Sequence, residues 1–323
     1  MIKDIKRNFY RGARFCWMAA VLLVIAAVPA GSLAAQPCPP QRVFSSPEEL
    51  RQALVAAVQA KDQVAVRAIF GPVACELEPG DPVEQATEFE HFSRHVLEGA
   101  ELVKEGDTKA SLVIGAKKWP FPVPIVKKGD TWIFDTEAGR EEILNRRIGH
   151  NEMLAINACR AYVEAQREYY NMPEPDGVQI PKYAQHLLSS PGKKDGLYWP
   201  TADGEKESPL GPLVAKAKEE GYMGKRIAGQ SGPRPFHGYY FQMLKRQGPS
   251  APGGKFSYVI NGNMVAGHAL VAYPARWGVS GVMTFIVNQR GRVYQKNLGP
   301  KTSDIARKMK AYNPDLTWKL VEE

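Results

Sequence analysis

Apolar side chains return at Leu50, Leu54, Val55 and Val58, three and four residues apart, a spacing that predicts a helix with one buried stripe. Ser46 stands before it as N-cap, with Pro47 at the first helical position and an acid, Glu49, three residues after the cap. A second short helix is predicted over 63–70, stopped by Gly71-Pro72, and a third from Asp81-Pro82 to His95 or beyond. From residue 101 the period changes. Leu102-Val103, Ala110 to Ile114, Phe121 to Val126 and Thr131 to Phe134 read as strands parted by Glu105-Gly106-Asp107, Lys117-Lys118 and Lys127-Lys128-Gly129-Asp130. Helices followed by a small meander make an α+β unit.

Helical spacing resumes from Thr136 to Tyr170, with a break expected at Gly149. Its second part places Ile156, Cys159, Tyr162, Val163 and Tyr169 on one side. A polar, proline-rich stretch follows from Asn171 to Asp203, with one short helix expected at Tyr183–Leu188, and another helix over 210–220. Beyond Pro235 the pattern is β: 239–244, 256–260, 264–273, 282–287 and 293–296 are five candidate strands. Asn261-Gly262 is a strong hairpin signal, because both central residues of a type I′ turn need positive φ. A closing helix is expected over Ser303–Tyr312, capped by Thr302 or Ser303. Within this region Gly278-Val-Ser-Gly281 sits one residue short of the G-x-S-x-G nucleophile turn. Ser280 leads into a strand rather than a helix, so the segment reads as one arm of a hairpin.

The N-terminus stands apart. Lys3, Lys6, Arg7, Arg11 and Arg14 precede the apolar run 18–28, then Pro29, Gly31 and Ser32-Leu33-Ala34-Ala35. That order is the pattern of a secretory signal peptide cleaved near Ala34 or Ala35, with an uncleaved anchor as the alternative. The run is shorter than the ~20 residues of a membrane span, and no membrane span is expected after cleavage. The full chain of 323 residues carries 42 basic and 34 acidic side chains. Removing residues 1–35 takes away five bases and one acid, leaving 37 against 33, a net +4. So weak and scattered a charge is no nucleic-acid footprint. Cys38 and Cys75 lie in loop-like settings and are a candidate disulfide in an oxidising compartment, whereas Cys159 falls on the apolar side of a helix. No C-x-x-C is present, which removes redox and zinc-ribbon readings.

The phrases KWPFPVPIVKKGDTWIFDTEAG, RRIGHNE, AYVEAQREYY, SSPGKKDGLYWP, SPLGPL, FHGYYFQML, ALVAYPARWGVSGVMTFIVNQRGRVYQKNLG and PDLTW resemble a bacterial exported family of unknown function, DUF2950. The likeness runs from about Phe44 to Trp318 and implies export and a shared fold, with no activity to carry over. The second half, a helix followed by a sheet with GYYF and SGVMTFIVNQRGRVY, is similar in order to the globular part of type II secretion pseudopilins. The leader lacks their processing motif and is not continuous with residues 149–170. The first half resembles the α+β cone of nuclear-transport-factor-2-like domains. The organisation expected is therefore a signal peptide over 1–35, an N-terminal α+β domain over 36–147 and a pseudopilin-like α+β domain over 148–323. In the latter a long helix packs on an antiparallel sheet of four to five strands.

Candidate chemistry is sparse. His91 and His95 share a helical face beside Glu88, but Phe92 stands where a zincin has its glutamate, so no metal site is expected. Ser190 and Lys193 match S-x-x-K only formally, since Pro191-Gly192 forces a turn. Gly-Lys pairs at 192, 224 and 254 lack the rest of a phosphate loop, and no cofactor is called for. Arg146 and Arg147 are expected to pair with Glu141 or Glu142. His268 reads as a satisfied core or sheet-edge residue. Tyr198, Trp199, His237, Tyr239 and Tyr240 offer aromatic faces suited to a sugar or peptide, and are the candidate ligand-binding residues. The sequence thus favours an exported, periplasmic binding or scaffold protein whose partner is an envelope protein, a peptide or a glycan. The alternatives are an envelope hydrolase with groups such as Glu152, Asp195 and His237, or an accessory subunit of a secretion assembly.

Overall fold

The structure is a computed structural model that describes residues 38–172, 181–202, 204–222 and 234–322. The leader expected over 1–35 lies outside the described residues. Four helices come first: α1 (Pro47–Gln59), α2 (Gln63–Phe70), α3 (Pro72–Glu76) and α4 (Pro82–Glu98). Side-chain oxygens of Ser46, Asp62 and Asp81 accept from the first exposed amides of α1, α2 and α4, which satisfies donors a helix start leaves open. Five strands follow: β1 (Ala100–Lys104), β2 (Lys109–Ile114), β3 (Trp119–Pro120), β4 (Ile125–Lys128) and β5 (Thr131–Phe134). They form an antiparallel sheet in the order β1-β2-β4-β5, with β3 on β2. Along β2 the inward set is Ala110, Leu112 and Ile114, which meets Leu50, Leu54 and Ile69 of the helices in the first core. A disulfide joins Cys38 to Cys75 and ties the start of the described chain to α3.

Helix α5 (Thr136–Tyr170) runs 35 residues without the break expected at Gly149. A lone glycine costs a helix only about 1 kcal/mol, and α5 packs against both halves of the molecule on either side of it. Ile143 touches the first core, whereas Ala155, Cys159, Tyr162 and Val163 enter a second. The boundary expected near residue 147 thus falls inside one continuous helix.

The expected helix over 183–188 does not form. Its chain is extended: the Tyr183 amide donates to the Met264 carbonyl at 2.7 Å, and β6 (His186–Leu188) pairs in parallel with β7 (Gly196–Tyr198). Backbone partners on other strands outweigh local spacing there. After α6 (Gly211–Glu219) come β8 (Tyr239–Leu244) and four two-residue strands: β9 (Arg246–Gln247), β10 (Phe256–Ser257), β11 (Val259–Ile260) and β12 (Asn263–Met264). The longer strands β13 (Ala269–Pro274), β14 (Met283–Asn288) and β15 (Tyr294–Asn297) follow, then α7 (Thr302–Arg307) and β16 (Lys319–Leu320). The β11–β12 turn has Asn261 at φ 48° and Gly262 at φ 79°, as the hairpin signal requires. Helix α7 is shorter than expected. Lys301 takes the cap position, while the Thr302 hydroxyl donates to the Gly299 carbonyl, and Tyr312 is buried beside β9 rather than helical.

The second sheet is antiparallel in the order β16-β15-β14-β13-β8, as an α+β fold with a long helix on a five-stranded sheet. Every residue of β13 is buried because both faces are covered. Leu270 and Ala272 face α5, and Val271 and Tyr273 face α7 and Tyr312. The described residues form one compact unit, and among them no helix is long and apolar enough to cross a membrane.

Candidate functional site

Two places in the fold gather chemistry. The first is a cavity of about 630 Å³ between the turn after β6 and the end of β7, within the usual size range of ligand sites. Leu188, Pro191, Tyr198, Trp199 and Pro200 give it an apolar wall, and Lys193 and Lys194 stand beside them. The turn is held locally. Asp195 accepts from the Ser190 amide at 2.7 Å and from its hydroxyl at 2.8 Å, and the Tyr169 hydroxyl donates to the Lys194 carbonyl at 2.8 Å. Ser190 and Lys193 therefore belong to a turn and not to a catalytic helix. Trp199 is 5 % exposed, yet its Nε1–H has no acceptor among the described residues. A buried donor left unpaired costs about 1–3 kcal/mol. The Lys194 ammonium lies 5.5 Å from the Trp199 ring centroid, a cation–π contact.

The second place is a polar seam where α4, α5, the stretch after α6 and the turn into β8 meet. The Asp81 carboxylate, besides capping α4, accepts from the Gly238 amide at 3.4 Å and from the Tyr222 hydroxyl. Burial raises its pKa. Glu84 accepts from the Asn151 side-chain amide at 2.6 Å through one oxygen, while its other oxygen is buried without a partner among the described residues. Burial pushes this carboxyl up to about 7. The Asn151 amide also donates to the Ser280 carbonyl at 3.1 Å. His237 Nε2 stands 2.9 Å from Glu220 Oε2, off the hydrogen-bonding direction, and its backbone is at φ 48°. Burial lowers the pKa of this imidazole against the opposing pull of Glu220. Gly238 is what lets the seam close: a Cβ there would stand 2.8 Å from the Asn151 amide and 3.2 Å from Glu84. Strained backbone and shifted acids in one seam are physical marks of functional sites.

The five candidate ligand residues separate. Tyr198 and Trp199 line the cavity, and His237 belongs to the seam. Tyr239 is buried against α5 with its hydroxyl donating to the Met283 carbonyl at 2.9 Å, and Tyr240 packs on the other face of the sheet, 5.6 Å from Tyr273. Strand alternation drives neighbouring tyrosines apart. Glu152 is spent on the amides of Val282 and Met283, both at 2.9 Å, so Glu152, Asp195 and His237 each have separate partners. Ser280 is buried and donates to the Gly238 carbonyl at 2.9 Å, a structural hydroxyl at the head of β14.

Arg146 pairs with Glu142 on its own helix, but Arg147 reaches across to Glu88 in a bidentate pair and to the Leu77 carbonyl. It rims a second cavity of about 220 Å³ whose walls include Phe70, Phe89, Phe92 and Phe121. His268 is buried but not satisfied: neither ring nitrogen has a hydrogen-bond partner among the described residues, and burial, helped by the Arg167 charge, lowers its pKa to about 3. Its ring is held instead by edge contacts with Tyr162 and Tyr183. Among the described residues no three His, Cys, Asp or Glu side chains gather as a metal set. The sequence pointed to Asp81 only as a helix cap, and to Glu84, Tyr222, Glu220 and Asn151 not at all. Their meeting depends on tertiary packing.

The class the fold defines is an α+β protein with a long helix spanning two sheets. A family model described as Protein of unknown function (DUF2950) matches residues 41–321, and the chain belongs to that family. No curated protein and no solved structure matches the chain.

Proposed function

We propose that this is an exported protein of the cell envelope whose body binds a small ligand, a glycan or a peptide, in the cavity formed by residues 188–200. The observation that carries the binding reading is a ligand-sized cavity with an apolar, ring-bearing wall of Pro191, Tyr198, Trp199 and Pro200 and with Lys193 and Lys194 beside it. Export is supported by the basic, apolar and small-residue order of 1–35 and by the Cys38–Cys75 disulfide, since such bonds persist in oxidising compartments. N-terminal sequencing of protein recovered from the envelope tests export: a start near residue 35 or 36 is expected, and an intact Met1 means a tethered protein. Amide chemical-shift mapping against glycan and peptide panels tests binding, with perturbations expected around residues 188–200. A panel that moves nothing there ends the reading.

A second reading, an envelope hydrolase, is favoured by the polar seam. A carboxyl with pKa about 7, Glu84, is suited to giving a proton, and an imidazole beside a carboxylate, His237 with Glu220, to taking one. Turnover of an envelope polymer by the purified protein, abolished by Glu84→Gln with the fold intact, makes catalysis the function.

A further inference from the structure

We infer that the layer formed by β15, β16, α7 and the turn 313–318 docks on a bilayer of anionic phospholipids, its arginines and lysines on the headgroup phosphates and Leu316 at the boundary with the acyl chains. This surface is separate from the cavity of residues 188–200 and does not rest on the binding reading.

The small net charge of the chain conceals a separation. Residues 36–233 carry 24 basic and 29 acidic side chains, a net −5, whereas residues 234–323 carry 13 and 4, a net +9. The positive charge expected to be scattered is therefore gathered in the C-terminal sheet and the segments that cover it. In the first part Arg67, Lys109, Arg140 and Arg147 each meet a carboxylate at 2.6–2.8 Å. In the second, Arg290, Arg292, Lys301, Arg307, Lys308 and Lys310 are exposed, and none forms an ion pair among the described residues. Like charges gathered without partners repel one another, a cost that an anionic surface removes.

The other side chains of the layer decide which kind of anion fits. Alternation places Arg292, Tyr294 and Lys296 on the α7 side of the sheet, with Leu320 opposite Tyr294. The Arg292 guanidinium stands 5.8 Å from the Tyr294 ring centroid, and the Lys296 ammonium 5.9 Å from that of Trp318. With cations over both rings, neither is a free platform for stacking nucleic-acid bases. Beside them the turn 313–318 carries Leu316, which is fully exposed, and Leu320 is 42 % exposed. The turn is held by hydrogen bonds. The Thr317 amide donates to the Asp315 carboxylate at 2.9 Å, the Trp318 amide to the Asp315 carbonyl at 3.0 Å, and Lys296 Nζ to the Thr317 hydroxyl at 2.6 Å. A leucine held out in water among unpaired cations gains nothing from a phosphate backbone. It has a place between headgroups and acyl chains, where apolar burial and attraction to anionic lipid add.

Co-sedimentation of the whole mature protein with vesicles of phosphatidylcholine alone, and of phosphatidylcholine with phosphatidylglycerol, tests the inference. Binding to the anionic vesicles is expected to be at least about ten-fold tighter and to weaken as salt rises. Each cation near such a surface contributes about a factor of five, so Arg290→Ala/Lys308→Ala/Lys310→Ala is expected to weaken binding about a hundred-fold. Lys104→Ala/Lys109→Ala/Lys127→Ala, the same change of net charge on the first sheet, is expected to leave it nearly unchanged. Leu316→Ser is expected to weaken binding several-fold at unaltered charge. All of these side chains are exposed, so thermal midpoints are expected to hold. Equal affinity for the two kinds of vesicle overturns the inference. So does equal weakening by the two triple variants, which assigns the attraction to net charge alone. A single-stranded oligonucleotide bound more tightly than the anionic vesicles, or an affinity indifferent to Leu316→Ser, overturns the lipid assignment.

Discussion

Glu84 and His268 show how one buried side chain can set a pH dependence, and they work in opposite directions. The Glu84 carboxyl holds its proton more tightly in the folded state, at about 7, than in an unfolded chain, near 4.5. Its contribution is fully present below about pH 4.5 and is lost as pH rises through about 7. His268 does the reverse. Its imidazole resists protonation down to about 3 in the fold, against 6.5 when unfolded, so stability is lost as pH falls below 6.5. Between about pH 4.5 and 6.5 the two slopes offset each other. Replacing one residue therefore exposes the other. Glu84→Gln keeps an acceptor for Asn151, and the variant is expected to gain roughly 2–3 kcal/mol over the unaltered protein between pH 5 and pH 8, from a shift worth about 1.4 kcal/mol per unit. His268→Phe keeps a ring between Tyr162 and Tyr183 and is expected to lose the acid sensitivity between pH 6 and pH 4. Thermal midpoints across pH 4–8 check both, and parallel curves for all three proteins refute the argument. Neither residue was legible in the sequence as an electrostatic element. A glutamate at the start of a capped helix and a histidine in an apolar strand become unusual only when other chain segments bury them.

At the scale of elements, the local chemistry was largely readable. Ser46-Pro47 and Asp81-Pro82 announce the starts of α1 and α4, Asn261-Gly262 fixes a hairpin, and the β-prone run Ala110 to Ile114 marks a strand. The failures have one cause. Residues 183–188 carry no strong local preference, and their conformation is set by backbone partners outside the segment, at Met264 and at Gly196–Tyr198. Gly149 erred the other way, because packing at both ends of α5 outweighs one poor helix former. Among the described helices the one whose stability leans least on burial is α3, which is short and has no buried residues. The Cys38–Cys75 bond holds it to a chain segment 37 residues away, and loop closure of that length is worth about 3–4 kcal/mol on the chain-entropy view. Cys38→Ser/Cys75→Ser is expected to unfold at lower denaturant by roughly that amount, and proteolysis is expected to begin near α3. An unchanged midpoint indicates that α3 is held by its neighbours alone.

Across the whole molecule, the question is why two sheets with separate cores behave as one body. Helix α5 gives part of the answer, since its first turns pack on one core and its later turns on another. A continuous helix alone makes a hinge, however, because a bend near the exposed Gly149 is cheap. The polar seam removes that freedom. Asn151, two residues beyond Gly149, bonds Glu84 of α4 and the Ser280 carbonyl at the head of β14 with a single amide, and Gly238 brings its own amide to Asp81. Together these links tie α4, through Asn151 of α5, to the turn before β14, and the cap of α4 to the turn into β8, and every one is buried, where a hydrogen bond is costly to leave unmade. Arg276 adds two more by donating to the carbonyls of Glu76 and Glu78. The seam should therefore set cooperativity as well as stability. The unaltered protein is expected to unfold in one calorimetric transition. Asn151→Leu removes both bonds without changing the helix and leaves Glu84 with no partner. It is expected to lower the midpoint by several degrees and to split the transition, the first sheet and its helices melting apart from the second. A single, symmetric transition in the variant means that the two cores are coupled by apolar packing along α5, and that the seam is kept for its chemistry.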